Sequence, residues 1–224
     1  MSRFFVTVIF GVLLFASCAD SPARRVLNPA ELSETPEMPG PYVIMDYKNN
    51  FTEESIPEWV SCYLEGGARA VEALDAYQGR YVFIARSEGN NFNALVQWNE
   101  WFSPELDFPR LAAVRIESRF SSGVYHPDHE YGAFFETLIR AASDALWTGA
   151  NKEDDFWIFK KTDPASGSLQ ENGIYEFFIL VTIRKTDFAP QFDEVFRNVR
   201  PNPPPTRDQI AAANRVKDRF YEGF

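Results

Sequence analysis

The residues best equipped for chemistry lie in His126-Pro127-Asp128-His129-Glu130, which holds both histidines of the chain and two carboxylates. Two imidazoles and an oxygen ligand can hold zinc, with an open fourth position for a reacting water. The His-x-x-His spacing differs from the His-Glu-x-x-His of helical zinc proteases, and Pro127 keeps the first histidine out of a continuous helix. The competing role is a solvated loop before a helix, with Asp128 and Glu130 near the positive end of its dipole. The loop role is favoured, so no metal ligand is assigned. His126, Asp128, His129 and Glu130 are the centre on which a metal-dependent enzyme, the rival function, would rest.

Other constellations carry less. Glu153, Asp154 and Asp155 are three consecutive acids in Asn151-Lys152-Glu153-Asp154-Asp155, but they lack the Asp-x-Asp-x-Asp-Gly loop that wraps calcium, and a polar turn before a strand is expected. Glu65-Gly66-Gly67-Ala68 and Glu88-Gly89-Asn90-Asn91 are glycine turns without a GxGxxG or P-loop pattern. No Gly-x-Ser-x-Gly elbow occurs. No catalytic residue and no cofactor is therefore assigned. Trp98, Trp101 and Phe102, beside Asn90, Asn91, Asn93 and Asn99, could line a groove for a glycan or peptide, since rings and amides furnish such sites. Rings at helical spacing more often belong to a core.

Residues 1–17 have a different task. Arg3 gives a positive start, Phe4 to Phe15 is almost unbroken apolar sequence, and Ala16 and Ser17 are small. The run is too short for a bilayer, which takes roughly 20 apolar residues, and has the shape of an export signal. Phe15-Ala16-Ser17-Cys18 resembles a bacterial lipoprotein signal, which implies cleavage before Cys18 and acylation of its sulfur. One acyl chain anchors only marginally; the resemblance implies several, which anchor stably. With Cys18 lipidated, Cys62 is the remaining thiol, expected as a small buried hydrophobe, with a reactive or intermolecularly paired thiol as the alternative.

The net charge of −10 becomes more negative when Arg3 is removed with the signal. Such a chain repels phosphate backbones and anionic lipid surfaces, so nucleic acid is not an expected partner and attachment to a membrane falls to the lipid. Aromatic residues make up 16%, with 21 Phe, which predicts a ring-rich core.

The organisation follows from composition. Residues 18–54 scatter five prolines among polar residues, a tether, interrupted by Tyr42-Val43-Ile44-Met45 as a potential edge strand. Residues 55–200 form the folded domain, beginning near Trp59. A helix is expected over Ala68 to Tyr77, ended by Gly79, and a strand over Tyr81 to Ala85. Helical patterns follow at Phe92 to Phe102, from Asp107 through Ala112, Ile116 and Phe120, and from Tyr131 to Ala145 or Leu146, ended by Gly149. Phe156 to Phe159 and Tyr175 to Arg184 predict a hairpin, the second strand apolar on both sides and so central. A short helix carries Phe192, Val195, Phe196 and Val199. Residues 201–224 are a proline-rich linker and a last helix, opened by a capping box at Thr206 and Gln209; the helix either packs back or is offered to a partner. The fold class is α+β, a three-stranded antiparallel sheet covered by helices on one side.

Pro57-Glu58-Trp59-Val60, the Tyr81 to Gly89 strand and turn, the helix around Ala112-Ala113, and the Trp157 and Tyr175 strands together resemble the LPP20-type envelope lipoproteins, spirochaetal ones in particular, over residues 55–185. The resemblance implies a structural or accessory envelope protein with no catalytic residue to carry over. The expected function is a non-catalytic binding or scaffolding module held by lipid, with the outer membrane, facing the periplasm, as its expected site. Envelope proteins are the expected partners, and peptidoglycan is a second candidate. An assembly subunit that oligomerises through the last helix is the third possibility.

Overall fold

A strand that is apolar on both faces needs cover on both, and the segment from Tyr175 to Ile183 receives it. The computed structural model of the chain describes residues 42–49, 55–123, 129–162, 173–199 and 204–221. In chain order its elements are β1 (Tyr42–Tyr47), α1 (Glu58–Glu72), a 3-10 turn (Asp75–Tyr77), β2 (Arg80–Gly89), α2 (Phe92–Trp101), α3 (Pro104–Gly123), α4 (His129–Asp144), β3 (Asn151–Thr162), β4 (Ile174–Arg184), α5 (Lys185–Asn198) and α6 (Arg207–Tyr221). The strands form one antiparallel sheet of order β1-β3-β4-β2. The architecture is α+β as expected, but with four strands rather than three. The added strand is β1, from the stretch assigned to the tether, which pairs Tyr42 with Thr162 and Tyr47 with Ile158 across a bulge.

The helices lie on both faces, not on one. Alternation along β2 and β4 sends Tyr81, Phe83, Ala85, Ile179, Val181 and Ile183 to one side, under α3, α4, α5 and α6. Val82, Ile84, Phe178 and Leu180 point to the other, where α1 covers them with Trp59, Val60, Tyr63, Ala68 and Val71. The expected helix from Ala68 is the second segment of α1, which ends at Glu72 short of the expected Tyr77; a first segment, from Glu58, precedes it across Gly67. Gly67 takes φ 68 and ψ −167, a conformation suited to glycine alone, and kinks α1 without breaking its cover of the sheet. Trp59 does pin the chain: it is buried, and its Nε1 donates to Asp154 at 2.8 Å.

Three further boundaries move. Pro104 occupies the first turn of α3, where its missing N–H is harmless, so the helix starts there rather than at Asp107; the Ser103 N–H donates to the Asp107 carboxylate. The helix α4 stops at Asp144, leaving Leu146 exposed while Trp147 turns inward to stack on Phe188 at 4.8 Å. The acidic run expected as a turn lies inside β3. Glu153 pairs with Arg80, Asp154 accepts from Trp59, and Asp155 binds Lys48 and Lys152. The last helix packs back: Ala212, Ala213, Val216 and Phe220 are buried, Phe220 stacks on Phe188 at 5.0 Å, and the Thr206–Gln209 capping box forms with both reciprocal bonds.

One polar contact spans the layers. Arg115 of α3, with a fully buried side chain, and Glu72 of α1 meet at 2.6 Å beside the outer edge of β2. Glu72 accepts the Val82 N–H at 2.8 Å, and Arg115 donates to the Val82 carbonyl at 3.0 Å. An edge strand's outward amide and carbonyl are thereby both satisfied. Glu72→Ala is expected to cost about 3–5 kcal/mol in urea unfolding, because it strands a buried charge; Glu72→Gln, which still accepts the amide, loses less.

At the opposite edge, burial alone would raise the Asp155 carboxyl, but hydrogen bonds and charge from Lys48 and Lys152 outweigh it and hold it below its ordinary value. The stabilisation is then present above the unfolded-state pKa and is lost as pH falls through the lower folded one. Asp155→Asn is expected to destabilise by about 1 kcal/mol at pH 7. In melting curves the difference should begin to shrink as pH falls to the ordinary carboxyl value of 3.8 and vanish only below the lower folded one.

Candidate functional site

Arg86 and Glu88 are two residues apart on β2 and therefore share a face, the one α1 covers only in part. Glu88 stands directly across from Glu176 of β4. Two carboxylates so placed repel unless cations intervene. Arg86 supplies one: its Nε contacts Glu176 and its Nη2 reaches Glu88 at 2.9 Å. Lys160 of β3 supplies the other, with Nζ at 2.5 Å from Glu176 and 3.5 Å from Glu88. Arg86, Lys160 and Glu176 are buried, Glu176 to 1% exposure, whereas the Glu88 side chain is 46% exposed and forms the mouth. Burial would lower the pKa of Arg86, but Glu176 and Glu88 outweigh it and raise it, so the guanidinium stays charged. Tyr42 flanks the site, its ring 5.2 Å from Lys160 Nζ, and burial followed by the Glu176 charge raises its phenol. Tyr63 of α1 lies close enough to bear on Arg86 electrostatically.

The other face of the same half of the sheet is aromatic. Trp157 and Phe159 of β3, Tyr175 and Phe177 of β4 and Phe92 of α2 form a continuous shelf. Phe92 lies 5.2 Å from Trp157 and 5.0 Å from Tyr175, and Tyr175 lies 4.6 Å from Phe159. Gly173 presses on Phe159 so closely that an added Cβ would sit 2.1 Å from its Cζ. Phe92, Trp157, Phe159 and Tyr175 remain partly exposed. Beside them, β1 pairs with β3 alone among the described residues and leaves Val43 47% and Met45 55% exposed.

The residues singled out from sequence are distributed differently. Trp98 and Phe102 pack together at 6.4 Å and lean on the helical core, while Trp101 is 77% exposed. Asn91 caps α2 by accepting the Ala94 N–H, and Asn99 accepts from Lys152. His126 and Asp128 lie outside the described residues; His129 opens α4, with Glu130 next. Cys18 also lies outside them. Cys62 is half-buried against the α1 side of the core. Among the described residues, no group of three or more histidines, cysteines or carboxylates is placed to hold a metal.

The sequence pattern hides the ionic group, because the apolar run ends at Ala85 and Glu88-Gly89-Asn90-Asn91 reads as a turn, whereas β2 runs on to Gly89. The available signal was the alternation of Val82, Ile84, Arg86 and Glu88, which continues the strand if charges are allowed inside. Glu176→Gln is expected to destabilise by about 3–5 kcal/mol, because two buried cations then face one half-solvated carboxylate. Glu88→Gln should cost about 1 kcal/mol or less, and urea unfolding of the two variants compares them. Comparisons with family models, with curated proteins and with solved structures each find no match for the chain.

Proposed function

We propose that the chain is a lipid-anchored envelope protein whose α+β domain is a non-catalytic binding module for other envelope components. The observation that carries the binding role is the aromatic shelf beside the β1 edge, where Val43 and Met45 project at the surface. Partly exposed rings next to apolar side chains are characteristic of the centres of protein contact surfaces, whereas single scattered apolar residues are not. The β1 edge adds outward backbone groups that a partner segment can pair with. The anchor rests on the Met1 to Cys18 pattern and on the likeness to LPP20-type lipoproteins. Among the described residues no helix is long and apolar enough to cross a membrane, so those residues contribute no anchor of that kind.

This assignment gives the last helix a structural task instead of an assembly task. Its apolar stripe is already spent on Phe188, Phe192 and the Arg115 side chain.

Two measurements test the two halves of the proposal. Mass spectrometry of the cell-derived protein is expected to show an acylated N-terminal Cys18, and Cys18→Ala should leave the signal uncleaved; an unacylated mature N-terminus would remove the envelope placement. A photo-crosslinking residue at Met45 is expected to capture an envelope protein in intact cells, while one at Ile210 of α6 is not. Capture at Ile210 of a second copy of the chain, with none at Met45, would reverse the assignment.

A further inference from the structure

Charges taken out of water are held in a fold at a cost, and the two buried ionic groups of this domain differ in what they give back. Glu72 and Arg115 satisfy the backbone of an edge strand. Arg86, Lys160, Glu176 and Glu88 bond to no backbone atom among the described residues; they hold one another. Within that group the buried charges do not balance. Glu176 offsets one of the two cations, and the remaining positive charge is met by the carboxylate at the mouth.

That carboxylate is the least secured member. Glu88 is 46% exposed, and its contact with Lys160, at 3.5 Å, is at the limit of a hydrogen bond. A half-solvated carboxylate loses little by turning to water. Once it turns, the planar fork of Arg86 and the ammonium of Lys160 face outward together, a pairing suited to one carboxylate group.

We propose that Arg86 and Lys160 are a receptor for a ligand monocarboxylate, and that Glu88 is an internal substitute which the ligand displaces. The proposal deepens the binding-module assignment of the preceding subsection and rests on it: it names the chemical group that the module recognises. Glu176 sets the selectivity, because its buried negative charge leaves room for one further anion charge and disfavours a doubly charged phosphate. Tyr42 flanks the site, its ring 5.2 Å from the Lys160 ammonium. The carboxylate can belong to a peptide C-terminus or to a sugar acid, and the experiment separates these sources.

The test is an NMR titration of the full chain with three probes: the peptide Gly-Gly-Ala with a free C-terminus, the same peptide as its C-terminal amide, and glucuronate. The free acid is expected to shift the side-chain resonances of Arg86 and Lys160, and the amide is not. A response to glucuronate as well makes the carboxylate sufficient, and a response to the peptide acid alone assigns the site to peptide ends; both outcomes support the receptor. Glu88→Gln should tighten binding of the free acid by about tenfold, as when one competing charge-assisted hydrogen bond is removed. Lys160→Met in the Glu88→Gln background should abolish that gain. Equal shifts with acid and amide, or a Glu88→Gln variant that binds the acid no more tightly than the parent, would overturn the proposal. Neither result bears on acylation of Cys18 or on crosslinking from Met45, so failure of the receptor is distinguishable from failure of the binding module.

Discussion

The domain is held together around the ion pair of Glu72 and Arg115. A four-stranded sheet has two edges, and the edge formed by β2 would leave backbone groups pointing at apolar helices. The pair supplies the Val82 N–H with an acceptor and its carbonyl with a donor, from helices on opposite faces of the sheet. The guanidinium lies 5.0 Å from the Tyr81 ring centre, 5.1 Å from that of Phe83 and 4.8 Å from that of Phe220. Rings around a desolvated cation return part of its lost hydration. Because Phe220 belongs to α6, the last helix, the central sheet and α1 all meet at one side chain, which couples the two apolar layers into one cooperative unit.

With β2 sealed, the two ends of the sheet take on different characters. Around Val82 the sheet is covered by helices on both faces, and the backbone groups of Val82 are taken up by Glu72 and Arg115. The half of the sheet around Arg86, Lys160 and Glu176 carries partly exposed rings on one face and an ionic group with a solvated mouth on the other, and the short bulged β1 beside it exposes Val43 and Met45. A bulge at an edge discourages indiscriminate strand pairing without preventing a matched partner. Binding surfaces placed there do not disturb the packing that Arg115 organises.

The parts of this plan legible in the sequence are those in which periodicity and burial agree. The apolar-on-both-sides pattern of Tyr175 to Ile183 marks the central strand, Trp59 marks the start of the packed domain, and Thr206 with Gln209 marks the last helix. The apolar patch Tyr42-Val43-Ile44-Met45 suggests an edge strand within a proline-rich stretch, and β1 forms there at the edge of the sheet, although a strand with one paired edge needs little sequence to define it. Errors arise where a residue's type points away from its place. Gly66 and Gly67 suggest a turn, and Gly67 does interrupt α1 there, although a helical segment on each side of it covers the sheet. Glu153, Asp154 and Asp155 suggest a turn, yet each carboxylate finds a donor across the sheet. The burial of Arg115 depends on Glu72, 43 positions away, which no local pattern can show.

The ionic group at Arg86 is a conflict of the same kind with a different resolution. Local preference puts an arginine, a lysine and a glutamate at the surface, and the fold places all three inside. Where such a conflict repairs the backbone, as at Val82, the fold itself explains it. Here no strand edge, helix end or turn uses the charges, and replacement by apolar residues of similar volume would suit the sheet at least as well. Departures from local consistency that bring the fold no return are expected where a protein meets something else. Position strengthens the point, since the group sits across the sheet from the aromatic shelf, at the end the Glu72–Arg115 pair leaves open. Its one solvated member, Glu88, is the member whose departure leaves the other three still in contact.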